Sequence, residues 1–222
     1  MTIQLHSVLL ARSLAFIDIQ RLDPKGRLFY PDLIAAIAAD FSFQKVPKLT
    51  ELDDKKGLEF QIGRSGEIVI DAMKIFDTLL VVETHSNTKE AQKVTEQMLL
   101  WAKSKFGLAY EPSMIRHWGF VSDVTFKTDS PLLAACCDAM AKVAAKTSKA
   151  ASDIWAESIE YQPIIFTAGH NPLARKNALA NFTIQVRAET RFEENIYFSE
   201  APLPTDLHIK FLEEFAEDVL GK

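Results

Sequence analysis

Cysteine, glycine and long apolar runs are all scarce in this chain, and each scarcity closes off a class of protein. The two cysteines, Cys136 and Cys137, are neighbours. Adjacent side chains diverge and rarely bridge, so reduced thiols in a cytoplasmic setting are expected, not a disulfide framework. Eight glycines in 222 residues leave no Gly-rich phosphate cradle of the Rossmann or P-loop kind, which needs several flexible amides in sequence. No apolar stretch approaches the ~18 residues of a membrane helix. Arg12 interrupts the segment from Thr2 to Ile19, which also lacks the basic start of a secretion signal. A basic excess is missing as well: the net charge is −5 and no long stretch is strongly basic, so general phosphate attraction offers little for nucleic-acid binding. The spacings H-x-x-x-H, C-x-x-C and G-x-S-x-G do not occur, so neither a metal site nor a cofactor is expected.

What is present is a composition of 48% apolar and 25% charged residues, enough to close a core without staples. Patterning alternates between two periods. The segment Leu5 to Ile19 is apolar and β-branched, a strand that ends before Asp23-Pro24-Lys25-Gly26. Pro31 opens a helix carrying Leu33, Ile34, Ile37 and Phe41. Gln44 to Gly57, with the cluster Asp53-Asp54-Lys55-Lys56, reads as a loop. Leu58, Phe60 and Ile62 alternate with Glu59 and Gln61, and a turn at Gly63-Arg64-Ser65-Gly66 returns the chain as a strand over 67–75. Another strand, Leu79 to Thr84, precedes a helix that Asn87 and Glu90 cap, with Ala91, Val94, Met98, Leu99, Ala102 and Phe106 in one stripe ending at Gly107.

The second part runs similarly. A strand at Phe120 to Lys127 leads to a helix opened by Pro131, with the stripe Leu132, Leu133, Cys136, Ala139, Met140 and Val143. Strands follow at Ile159 to Thr167, Phe182 to Ala188 and Asn195 to Ser199, then a helix that starts at Thr205 and carries Leu207, Phe211, Leu212, Phe215 and Val219. A gapless overlay of Glu67–Gly107 on Asn181–Gly221 sets Trp101 on Phe215 and glycine on glycine. The expected fold is α+β: a largely antiparallel sheet with helices on one face, in two tandem β-α-β(3-4)-α halves, 1–110 and 111–222, or one continuous domain. This order of elements resembles TATA-binding-protein-like saddles and, more loosely, sliding-clamp repeats and helix-grip folds. The resemblance implies a layout only, because function resides in sites and not in folds.

Candidate site residues come from side-chain chemistry. His85 stands at a strand end beside Glu83 and a helix start, where Glu83 would orient the imidazole and the helix N-terminus would face an anion. A loop histidine beside an N-cap is the simpler account. His170, near Arg175 and Lys176, and Arg187 with Arg191 are candidates for an anionic ligand, against solvated loop tips. The acidic residues Glu189, Glu193 and Glu194 read as solvent-facing charge. Fifteen Phe and three Trp exceed what the stripes absorb, and Trp118, Trp155, Phe192 and Tyr197 are candidate interface residues, since interface centres favour aromatics. The leading expectation is a non-catalytic interaction or assembly module that self-associates, with itself or another protein as partner. The alternative is a small-molecule-binding protein or enzyme with a pocket between sheet and helices. Nucleic-acid binding through Arg116, Lys127, Arg175, Lys176 and Arg187 ranks third.

Overall fold

Period-two alternation builds the sheet of this protein, and apolar residues at helical spacing build the helices laid against it. The structure, a computed structural model, describes residues 3–47, 57–171 and 179–221. In chain order the elements are β1 (Gln4–Phe16), α1 (Tyr30–Asp40), β2 (Leu58–Ser65), β3 (Ile68–Phe76), β4 (Leu79–Thr84), α2 (Thr88–Phe106), β5 (His117–Lys127), α3 (Leu132–Cys136), α4 (Asp138–Trp155), β6 (Ile165–Ala168), β7 (Phe182–Val186), β8 (Ile196–Ala201) and α5 (Thr205–Leu220). The fold is α+β, with the strands in one largely antiparallel sheet of order β2-β3-β4-β1-β5-β8-β7-β6. No helix among the described residues is long and apolar enough to cross a membrane. Two compact units divide the chain: Val8–Ser122 with Leu203–Thr205, and Met1–Ser7 with Asp123–Pro202 and Asp206–Lys222.

In the unit of Val8–Ser122, Phe60, Met73, Val82 and Ser13 share one row across β2, β3, β4 and β1, and all four are buried. Helix α1 adds Leu33, Ile34 and Ile37 to this core, and α2 adds Ala91, Val94, Met98 and Leu99. Each large side chain buried this way contributes about 1.5–3 kcal/mol. Polar pins fix the helices. Asn87 Oδ1 accepts from the Lys89 amide at 2.8 Å, and Gly107, at φ 67°, closes the other end of α2. The Thr95 hydroxyl is bonded to Ser13 on β1 at 3.1 Å. Thr88 and Thr205 exchange two hydrogen bonds, each amide donating to the other's Oγ1 at 3.1 and 2.9 Å, so the first residues of α2 and α5 cap one another. Asp40, at the end of α1, accepts from Lys105 Nζ and Trp101 Nε1 on α2, both at 2.7 Å. Lys105 first and Trp101 second hold its carboxyl below the usual range.

Alternation fails at one point of β2. Ile62 was expected to face inward with Leu58 and Phe60, yet it is exposed, and Gly63 is buried in its place. Ile62 lies at φ 57°, which turns the strand over. On β3 the inward residues shift from Met73 to Ile70 in step, so the register of 61 with 72 and 63 with 70 is kept across the skipped pair at Ile62. A Cβ at Gly63 would stand 2.4 Å from the Phe43 ring. That close approach lets residues 41–46 lie along the outer side of β2, where Gln44 and Lys45 bond to Ile62 and Gln61. The hairpin turn is also tighter than expected: β2 runs to Ser65, and only Gly66 and Glu67 make the turn.

In the other unit, Val124 and Phe126 of β5, Ile184 of β7 and Leu212 and Ala216 of α5 are buried. Phe126 stacks on Tyr197 at 5.5 Å, and Phe166 of β6 on Phe215 of α5 at 5.4 Å. Two expectations are corrected here. The single helix from Pro131 is two helices, broken where Cys137 takes an extended conformation (φ −148°, ψ 101°). Of its predicted stripe, Leu132 and Leu133 are buried, whereas Met140 and Val143 are exposed. The strand predicted from Ile159 enters the ladder only at Ile165. In the overlay of 67–107 on 181–221 the last residues of α2 and α5, Phe106 and Leu220, coincide, and the helices differ at their starts, spanning 19 and 16 residues.

Candidate interaction surface

Helix α4 is strongly patterned, yet none of its 18 residues is buried. Its small residues hold it to the chain that follows. Ser152 Oγ accepts the Ile159 amide at 2.9 Å, and Ser148 Oγ accepts the Tyr161 amide at 2.8 Å. These two serines, one turn apart, take the place of a partner strand for residues 159–161. Among exposed lysines and aspartates the helix also presents large apolar side chains: Met140 is 55% exposed, Val143 60%, Ile154 77% and Trp155 70%. Tyr161, Ile164 and Ile165, on the segment that follows, are exposed as well. Seven of the 17 exposed large hydrophobic residues among the described ones therefore fall between 140 and 165. Isolated exposed apolar residues are ordinary, but a concentration of them marks a contact surface.

The edges of the sheet differ. At β2, residues 41–46 cover the outer side. At β6, the other end of the strand order, pairing runs to β7, from Ile165 with Gln185 to Ala168 with Phe182. No described residue pairs with its far side. The four residues of β6, Ile-Phe-Thr-Ala, carry no charge. Natural sheets usually protect an edge with charge, proline or a covering segment. No protein-family model matches this chain, and no curated protein does. The surface must therefore be interpreted from its own chemistry.

The predicted interface residues divide. Trp155 lies on this surface. Trp118 packs against the core of the other unit, and Phe192 is half-buried in a single turn of 3-10 helix, Phe192–Glu194. Tyr197 is buried, and its hydroxyl accepts from the Leu132 amide at 2.9 Å. Burial pushes its phenol above the ordinary value of 10.0.

The predicted ligand residues do not converge within either unit. His85 borders an open groove of about 660 Å³ together with Ser65, Glu67, Glu90, Lys93 and Gln97. Its Nδ1 is bonded to the Leu9 carbonyl, and its Nε2 is 3.4 Å from Asp71. Glu83, expected to orient this ring, pairs with Arg12 at 2.8 Å instead. Cross-strand pairing explains this, since Arg12 and Glu83 are direct partners on β1 and β4. The first amides of α2 are taken by Asn87 and Thr205, so the terminus beside His85 is not free for an anion. His170 uses both ring nitrogens on backbone, Nδ1 toward the Asn171 carbonyl and Nε2 accepting from the Leu179 amide. Arg187 follows β7, and Arg191 precedes the 3-10 turn, where its amide bonds Glu194. Arg175, Lys176 and the cluster Asp53–Lys56 lie outside the described residues.

Two further features bear on chemistry. Ser199 and His208 form a buried pair at 2.8 Å that the sequence did not suggest. Ser199 donates its proton to the Thr183 carbonyl at 2.6 Å, so it accepts from His208 Nε2. Nucleophile activation needs the opposite polarity, with serine donating to the imidazole. Between sheet and helices of the first-described unit, Leu33, Ile37, Met73, Leu80, Met98 and Trp101 border a cavity of about 60 Å³. Small-molecule pockets usually enclose ~300 Å³ or more. No group of three or more metal-binding side chains occurs among the described residues.

Proposed function

We propose that this protein is a non-catalytic interaction module that self-associates through the unit carrying α4 and β6. The observation that carries this reading is the amphipathic helix with no buried residue, whose Val143, Ile154 and Trp155 are exposed, in the same unit as a strand edge free of charge. Burying such a surface against protein gains the free energy that solvation denies it, roughly 25 cal/mol per Å². Light scattering across the micromolar range tests the reading: the mass should rise from monomer toward dimer as concentration increases. A mass that stays monomeric throughout rejects it.

A second reading, a small-molecule-binding protein, has the groove beside His85 in its favour. There the imidazole stands fixed between a carbonyl and a carboxylate, with Lys93 and Glu90 opposite. Native mass spectrometry of the purified protein discriminates the two. A bound small molecule whose retention falls in His85→Ala favours the groove, and a protein that carries nothing removes this reading.

A further inference from the structure

Five residues of α4 succeed one another at spacings of three, four, three and four: Met140, Val143, Thr147, Ala150 and Ile154. That is the seam of a two-stranded coiled coil, where apolar residues at alternating intervals mesh with those of a facing helix. The seam is separate from the face that Ser148 and Ser152 turn to the Ile159 and Tyr161 amides. Its large members are more than half exposed. Beside the seam lie Ala144 and Ala151 on one flank and Lys146 and Asp153 on the other. The alanines permit close approach, and neither Lys146 nor Asp153 forms an ion pair with another described residue.

We infer that α4 pairs antiparallel with α4 of a second copy, an inference that rests on the self-association proposed above. Charge decides the direction. In a parallel pair the flank containing Lys146 meets the flank of alanines, and its charges gain nothing. In the antiparallel register that sets Thr147 across from Ala150 of the copy, Lys146 of each helix lies across from Asp153 of the other. One twofold axis satisfies both pairs, as an isologous contact requires. A seam of only two heptads buries less than a standard interface, so the association belongs in the micromolar range.

Charge exchange on the full-length protein tests the pairing by sedimentation velocity. All three positions used are solvent-exposed in the isolated chain, which leaves folding intact. Lys146→Asp and Asp153→Lys each bring like charges together twice, and each should weaken dimerisation by roughly tenfold. The double variant K146D/D153K restores both pairs and should recover the parent affinity. Ile165→Lys, on the edge of β6, should leave the dimer unchanged. If the single exchanges have no effect, or the double variant stays as weak as either single one, the antiparallel helix pair is overturned. If in that case Ile165→Lys abolishes the dimer, self-association stands and the contact is the strand edge. A parent protein that is monomeric throughout removes both.

Discussion

Ile62 takes a backbone conformation that branched side chains avoid, and it does so on the surface. The left-handed region costs a non-glycine residue roughly 1–2 kcal/mol, while asparagine visits it routinely. The branched chain itself is 41% exposed, so little packing depends on it. Ile62→Asn is therefore expected to raise stability by up to ~1 kcal/mol in a denaturant titration. A lower midpoint at unchanged slope would show that the bend is not strained. Tyr197 is the opposite case, a polar group held deep inside. Phenylalanine there leaves the Leu132 amide buried without its acceptor, at a cost of about 1–3 kcal/mol. The phenol also imposes a pH dependence. Burial raises the folded-state pKa of Tyr197, and burial first, then Glu96 and Glu111, raises that of Tyr110. Both rings keep their protons longer when folded, so their contribution is intact below the unfolded value of about 10 and declines as pH climbs past it. Stability should fall as pH rises above about 10, and less steeply in Tyr197→Phe. Equal slopes in the two proteins would remove Tyr197 from this effect.

Helix α4 and the segment behind it show how an element is held without a core. Two serine oxygens receive the amides of Ile159 and Tyr161, and each such bond is worth ~0.5–1.5 kcal/mol. Replacing Ser148 and Ser152 together by alanine should free both amides, raising their hydrogen-exchange rates at least about tenfold while the strands of β3 and β4 keep theirs. Unchanged exchange at Ile159 and Tyr161 would mean that the serines do not anchor the segment. The same region marks where sequence patterning ran out. Helix α2 was legible from Asn87 to Gly107 because cap, stripe and stop agree, and β7 was legible from its strict alternation. The stripe of Leu132 to Val143 has the same spacing, but periodicity reports that a face is apolar and not what covers it. Cys137 breaks the helix with no proline or glycine to announce it. Ile159 to Ile164 is apolar enough for a strand, yet its amides at 159 and 161 go to serines. Ile62 failed for a related reason, since nothing in its own neighbourhood records the approach of Phe43 to Gly63. The Asp71 carboxylate beside His85 was missed because it comes from another strand, 14 residues earlier in the sequence.

At the scale of the whole molecule, the candidate surface emerged from what stays uncovered when each unit is complete. Of the aromatic residues singled out in the sequence, Trp155 is exposed, Tyr197 is buried and Trp118 packs against a core. A tally of aromatic residues cannot tell these apart. The order of elements was legible twice over, strand, helix, three strands, helix, with the second helix position split between α3 and α4.

Residues 41–46 along β2 bear on what any assembly of this protein can become. Propagation into a filament demands two docking ends on every subunit, one to receive and one to offer. Here the Phe43 ring seated over Gly63 and the Lys45–Gln61 bridge have already occupied one of them with the subunit's own chain. The margin at β2 therefore offers no strand of another subunit a place to pair, and no series can grow from that end.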